Sequence, residues 1–517
     1  MAWDHDKSLD RIKDRWERRS ELNVSVSRLG RKMDLENITL SQSRRVVGAH
    51  LYATVAGSGR LDQLDGTTGA ARTVRNLGAW LAEASRIASV FELPLIAAQG
   101  ARVHLLNYRP IEDEHQLARD ALLLAAALRR MTVGALNPQL ASTDRLTPRA
   151  GLDLGEVVAT RGGTAGDSEL LFLGPAANRA ATLVGEHKVV VSTRLLDLVN
   201  GALSLTQEKL ADEDAVAVSI TAEEHDAALE RYGFDWSVQA STDRLTADLK
   251  KWPVSRCKVS PATEIVEFDR LGRSNSKLIE TAVVIADIDG FSAYVESLES
   301  DIERRDAIIA LDMIRFELRE VLKHDCSGGV RVQYQGDNVV AVVHLPDQDD
   351  GKVAERALDI AAGMQASMQY TLPKVVPEAE KLAVTVGVAL GYTLATQLGE
   401  YGRRNAIVIG PKVTKADRIS AALKGTEIGF SPDAYGALPE HLQGFFEWRE
   451  RPKAWVAPHL PADKLELTKE AHARRADLTR ARLHAPDSRG RSRIGAAVGT
   501  TPAGATDVRV TKPYADE

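Results

Sequence analysis

The sequence predicts a mixed α/β (α+β) fold, two ferredoxin-like domains in tandem, and three observations carry that expectation. First, the middle of the chain repeats itself. AGLDLGEVVAT, ending at Thr160, answers VGVALGYTLAT, ending at Thr396, and LFLGPAANRAATL from Leu171 answers VIGPKVTKADRI from Val408. The intervals agree as well: Gly155 to Gly174 and Gly391 to Gly410 are both 19 residues, and Gly100 to Gly155 and Gly336 to Gly391 are both 55. His50 to Gly100 is 50 where Asp287 to Gly336 is 49. Several matched intervals in order mark a duplicated unit. Second, the later copy reads strand, helix, hairpin, helix, strand, the ferredoxin-like order. Third, 517 residues are too many for one core, and 44% hydrophobic with 5% aromatic residues is ordinary for an α/β protein.

Taken in order, residues 1–40 read as an amphipathic helical segment. Leu9, Ile12, Trp16, Leu22 and Val26 recur every three or four positions between charges, a face suited to packing on a following domain. Residues 41–200 hold the first copy and 201–277 its extension or linker. In the second copy, 278–465, strand 281–287 leads into a helix with Leu311, Ile314, Leu318 and Val321 on one face, ended by Ser327 to Gly329. A hairpin follows, Val330 to Gln335 and Asn338 to His344, with Gly336-Asp337 at its turn. Next come helix 353–370, strands 384–390 and 405–409, and a helix opened by Pro411, a favoured first-turn residue. Residues 466–517 read as a C-terminal helix and, from about Pro486, a disordered tail rich in Gly, Ser, Pro and Ala.

Several function classes drop out on composition. A net charge of −6 gives no basic face for nucleic acid. Two distant cysteines, Cys257 and Cys326, make neither a disulfide framework nor a zinc site. The charged start MAWDHDKSLDRIKDRWERR lacks the apolar core of a signal peptide, and no run of 18 apolar residues occurs. A cytoplasmic protein without membrane partners is expected.

The chemistry gathers in VVIADIDGFSAY (Val283 to Tyr294) and QYQGDNVVAVV (Gln333 to Val343). Each is an apolar strand with an aspartate at one end, Asp287 and Asp337. In the ferredoxin-like order these strands lie side by side, so the two carboxylates can converge and hold one or two divalent cations against a triphosphate. Aspartate beside glycine is common in surface turns; the joint placement within the repeat is what points to metal ligands.

Residues 278–432 resemble the catalytic domain of class III nucleotidyl cyclases. ADIDGFS is similar to that family's metal-binding strand end, GDNVVAVV to its second metal aspartate, and GEYGRRNAIVIG with the following helix to its strand 4–5 region. The resemblance implies a cyclase that turns a nucleoside triphosphate into a 3′,5′-cyclic monophosphate and pyrophosphate with two Mn²⁺ or Mg²⁺ ions. It places the metals on Asp287, Asp337 and the Ile288 carbonyl, the transition-state arginine on Arg418, and the helix asparagine position on Thr414. The adenine-reading positions fall on Gln333 and Pro411, which suit neither purine. Tyr334 in RVQYQGD resembles instead the pyrimidine cyclases of bacterial anti-phage signalling (the Pycsar systems). A tyrosine there implies a narrowed base pocket, UTP ahead of CTP as substrate, and an effector protein that senses the cyclic product. Adenylate cyclase is the alternative within the family, and a non-catalytic nucleotide-binding regulatory module is the alternative outside it.

The first copy is degenerate. His50 stands where Asp287 does and Ala101 where Asp337 does, while Asn178 is kept and Thr182 takes the arginine position. Since the family's sites are shared between paired domains, two arrangements are open. In a pseudo-heterodimer within the chain, Asn178 meets Asp287 and Asp337, with Arg179 as a substitute cation; in a homodimer, Arg418 and Thr414 meet the partner's aspartates.

Overall fold

The structure is a computed structural model that describes residues 3–20, 24–31, 33–55, 66–110, 113–164, 167–185, 187–399 and 405–484. Arg403 and Arg404, and the tail from Pro486, lie outside them. The chain divides into two compact units, Met1–Leu465 and Glu466–Glu517. The described part of the second unit is helical, within the helix Ala462–His484. The first unit holds both copies.

The first copy contributes β1 Ser25–Arg28, β2 Gln42–Thr54, β3 Leu95–Gln99, β4 Arg102–Asn107, β5 Arg149–Thr164, β6 Asp167–Leu173, β7 Val189–Ser192, β8 Thr206–Lys209 and β9 Ala215–Ser219. The second contributes β10 Val259–Pro261, β11 Ser276–Asp289, β12 Gly329–Gln335, β13 Asn338–Val343, β14 Ala383–Leu398, β15 Asn405–Ile409, β16 Ile428–Phe430, β17 Glu447–Arg449 and β18 Ala454–Ala457. Their sheets have one topology, β3-β4-β2-β5-β7-β9-β8 and β12-β13-β11-β14-β16-β18-β17. Even the satellites match: β1 joins β2 and β10 joins β11 in parallel, while β6 and β15 join β5 and β14. The repeat seen in the glycine intervals is therefore a duplicated fold.

The central strand β11 is buried on both faces, as its apolar run TAVVIA demands. Val284, Ala286 and Ile288 enter the core under the helices Asp301–Glu320 and Asp350–Ala366, while Val283 and Ile285 meet Ala416 of the helix Pro411–Ser420 on the other face. The first helix begins at a capping box, with the Ser300 hydroxyl and Glu303 carboxylate each accepting from the other's backbone N–H.

Each copy sends a β-arm into the other. Val158, Leu171 and Leu173 of the β5–β6 arm lie in the second copy's core, and Leu394, Leu398, Ile407 and Ile409 of the β14–β15 arm lie in the first. At about 1.5–3 kcal/mol per buried aliphatic side chain, these arms outweigh any surface ion pair in holding the copies together. Strand 384–390 of the sequence reading is accordingly longer, running to Leu398 because its far end is buried by the neighbour rather than by its own copy.

The helix expected over residues 1–40 occupies only His5–Ser20. Beyond it, Val24 and Val26 alternate with serines, and the open edge of β2 takes Ser25–Arg28 as a parallel strand, a tertiary partner overriding helical periodicity. The helix itself packs on the second copy: Ile12 is buried there, and the Arg11 guanidinium forks to Glu317 and Asp325. Among the described residues no helix is long and apolar enough to cross a membrane.

Candidate active site

Strand pairing brings the two aspartates together. The β11–β13 ladder ends with Ala286 opposite Val339, so the next step sets Asp287 against Asn338 and beside Asp337. Gly336 makes the hairpin turn at φ +65°, a backbone that strongly favours glycine. On the other flank Asp287 is paired with Thr385 of β14, so a central strand fixes its position. Just beyond, Asp289 accepts the Gly425 N–H at 2.6 Å and Gly290, at φ +83°, turns the chain into the helix Phe291–Glu296. Ile288 buries its side chain, leaving only its main chain for the site.

Both carboxyls are half-buried and pushed well above the ordinary aspartate range. For Asp287 the main cause is desolvation, followed by the negative charges of Asp337, Asp289 and Asp417. For Asp337 desolvation again leads, partly offset by its own backbone hydrogen bond and the Arg315 guanidinium. Two adjacent anions in a poorly solvated strand end are a cavity of negative potential, which a divalent cation fits. No cluster of three or more His, Cys, Asp or Glu side chains suited to a metal occurs among the described residues. Two carboxylates and a main-chain carbonyl leave most of a coordination shell open to substrate oxygens and water, as Mg²⁺ sites in phosphoryl transfer do.

The other residues singled out from sequence fall in three places. Asn178, on the first copy's helix Pro175–Thr182, crosses to the second copy and donates from Nδ2 to Ser292 Oγ at 3.0 Å, one turn past Asp287. Arg179 does not follow it; its guanidinium pairs with Asp212 at 2.7 Å within the first copy. Thr414 is half-buried and Arg418 exposed on the helix Pro411–Ser420. Its neighbour Asp417 lies within electrostatic reach of Arg102 of the first copy and of Asp287 in its own. Tyr334 pairs with Val339 and packs on the core beneath the Asp301 helix, the face opposite Asp287. The guanidinium groups of Arg315, at 4.3 Å, and Arg331, at 4.6 Å, lie over its ring, and its hydroxyl donates to the Arg315 carbonyl.

Where the first copy has lost its carboxylates, aromatic rings fill the place. His50 Nδ1 and His104 Nε2 share a hydrogen bond at 3.0 Å, His104 stacks on Tyr52 at 4.2 Å, and Phe172 stands edge-on to both imidazoles. Both histidines are held neutral by burial. The two aspartates of the second copy have no carboxylate counterpart at the matching positions, His50 and Ala101.

Sequence reasoning missed Ser292, Asp289, Asp417 and Arg315. The serine and Asp289 sit inside the recognised ADIDGFS motif and could have been read from it. Arg315 lies in a helix run whose periodicity spoke only of packing, and nothing local marks it.

Comparison with known proteins now bears on this geometry. Residues 275–457 match the adenylate and guanylate cyclase catalytic domain. A uridylate cyclase of Pseudomonas aeruginosa is 27% identical over 86% of this chain and 88% of its own length. A uridylate cyclase of Rhizobium sp. is 25% identical over 86% of this chain and 92% of its own. A solved class III adenylyl cyclase-like ATP-binding protein from Pseudomonas aeruginosa superposes with a TM-score of 0.77 at 24% identity, covering 90% of this chain and 99% of that one, which establishes the shared fold. The chain thus carries a class III nucleotidyl cyclase catalytic domain, and along most of its length it resembles uridylate cyclases.

Proposed function

We propose that this chain is a uridylate cyclase, converting UTP in preference to CTP into the 3′,5′-cyclic monophosphate and pyrophosphate at one site per chain. The observation that carries the reading is the convergence of Asp287 and Asp337 at the end of β11, with Asn178 of the other copy hydrogen-bonded to Ser292 just beyond it. The two relatives named uridylate cyclase support the choice of base.

In the reaction the ribose 3′-oxygen bonds to the α-phosphorus, the bond from that phosphorus to the bridging oxygen breaks, and the hydroxyl proton passes to solvent. Asp287, Asp337 and the Ile288 carbonyl would hold the two divalent cations, Mn²⁺ or Mg²⁺, which would supply Lewis acidity for the attacking hydroxyl and counter-charge for the departing pyrophosphate. The protein's part is positioning. Pairing of Asp287 with Thr385 and of Ala286 with Val339 keeps Asp287 from swinging away, and the Gly425 N–H holds Asp289. Asn178 steadies Ser292 and so the turn over which the triphosphate lies. With Asn178 in that role the pairing lies within the chain, and residues 41–277 serve the site formed by 278–465. Arg418 and Thr414 keep their assigned roles only in the alternative pairing between chains. Tyr334 acts on base choice through the shape of the hairpin it backs. We read the product as a second messenger for an effector protein in cytoplasmic anti-phage defence, a reading supported by the likeness of RVQYQGD to pyrimidine cyclases.

The test is incubation of the purified chain with each of the four NTPs and Mn²⁺, with products identified by mass spectrometry. Cyclic UMP as the main product supports the reading. Cyclic AMP overturns the base assignment, and absence of any cyclic product points to a nucleotide-binding module without turnover.

A further inference from the structure

Arg315 is a buried cation: burial disfavours its charge, and the carboxylates of Glu169, Asp337 and Asp312 favour it. It is 4% exposed on the helix Asp301–Glu320, and its Nε has no hydrogen-bond partner. Burying a guanidinium with a donor unpaired is costly unless something else holds it. Three contacts do. Nη2 donates to the Gly336 carbonyl, the turn that carries Asp337. The guanidinium plane lies over the Tyr334 ring at 4.3 Å. The first copy's β5 closes over it at Gly162, where even a methyl group would stand 3.9 Å from Nη1. The Arg331 guanidinium also lies over the Tyr334 ring, at 4.6 Å, and donates to Glu169 of the first copy's β6 at 3.3 Å. An unbroken run of contacts therefore leads from the first copy's arm, through Glu169, Arg331, Tyr334 and Arg315, to the turn beside the second aspartate.

We propose that Arg315 is a positioning residue for Asp337, and that the first copy's arm, acting through Glu169 and Arg331, sets how tightly the hairpin holds a divalent cation. The catalytically silent copy thereby tunes the metal affinity of its neighbour. The inference rests on Asp337 being a metal ligand, but not on which nucleotide is cyclised.

Positioning and electrostatics make opposite predictions, which gives the test a sign. A guanidinium near Asp337 repels a cation, so if charge alone mattered, its removal would tighten metal binding. If Arg315 orients the hairpin, removal loosens it, and losing a partner that holds a metal ligand typically weakens affinity about tenfold or more. Mn²⁺ binding to nucleotide-free protein can be followed by the loss of the free-ion electron paramagnetic resonance signal, without any turnover. Arg315→Gln and Arg315→Lys are both expected to weaken Mn²⁺ binding about tenfold, because lysine keeps the charge but loses the planar stack. Glu169→Gln, far from the cation on a part-exposed pair, is expected to weaken it by about threefold. In assays the apparent KM for Mn²⁺ should rise by the same factors, while kcat at saturating metal stays near that of the unaltered chain for Glu169→Gln. Tighter or unchanged Mn²⁺ binding in a folded Arg315→Gln protein overturns the positioning role. Should the Arg315 variants not fold, unchanged Mn²⁺ binding in Glu169→Gln overturns the coupling to the first copy. Absence of cyclic product from the unaltered chain would refute the proposed reaction yet leave the resonance measurement to decide this point.

Discussion

At Asp287 burial and three nearby carboxylates all act in one direction, so the ionised site opposes folding until a cation arrives. A carboxyl whose native pKa is raised binds more protons folded than unfolded, so stability falls as pH rises through and above the ordinary aspartate range. Metal-free protein should therefore melt at lower temperature at pH 8 than at pH 6, and Mn²⁺ or Mg²⁺ should raise the melting temperature most at the higher pH. Asp287→Asn should melt higher than the unaltered chain at pH 8 without metal, gain nothing from Mn²⁺, and lose turnover by at least about a thousandfold, the scale of a lost metal ligand. A variant that still cyclises would move the site elsewhere. The buried histidines of the first copy give the opposite slope. His50 is held down to about 3 and His104 well below its usual value, so both stay neutral in the folded chain and take up protons only on unfolding. Their contribution is intact above about pH 6.5 and is lost as pH falls below it, by about 1.4 kcal/mol per pH unit for each. Replacement of His104 by Leu should flatten the acid limb of a urea-stability profile below pH 6.5; an unchanged limb would show that the pair is not neutral in the native state.

Two equivalent helices of the duplicated fold have diverged in what they present. The helix Pro175–Thr182 reaches Ser292 through Asn178, whereas the helix Pro411–Ser420 brings Asp417 within electrostatic reach of Arg102 and Asp287. Asn178→Ala is expected to lower kcat by about tenfold, the loss of one positioning hydrogen bond in a transition state, and Arg418→Ala by much less. The reverse order, measured as kcat at saturating UTP and Mn²⁺, would favour catalysis between chains. Element types were largely legible in the sequence. The hairpin 330–335/338–344, strand 405–409 and the Pro411 start agree with β12, β13, β15 and their helix to within a residue. The segment after Ser20 was not, because a four-residue strand exists only where another strand's edge receives it.

For the whole molecule, exchanged arms and the N-terminal helix join the two copies inside one chain. The helix lies on the second copy through Arg11 and Arg15, and five residues after its end at Ser20, β1 enters the first copy's sheet at Ser25. A site completed within the chain should show specific activity independent of protein concentration. Mixing Asp287→Ala chains with Asn178→Ala chains should restore nothing, and recovery of activity on mixing would sink the intrachain pairing. The sequence by itself determined the duplication, the strand order and the two aspartates, because glycine spacing, alternation and motif are properties of a single segment and its twin. Which copy's helix meets those aspartates, on which face Tyr334 lies and what Arg315 supports were decided only by the tertiary structure. Asn178 meets Ser292 114 positions on and Glu169 meets Arg331 162 positions on, while Arg315 reaches Gly336 across 21 positions that span a helix and a hairpin, and no local pattern encodes such contacts.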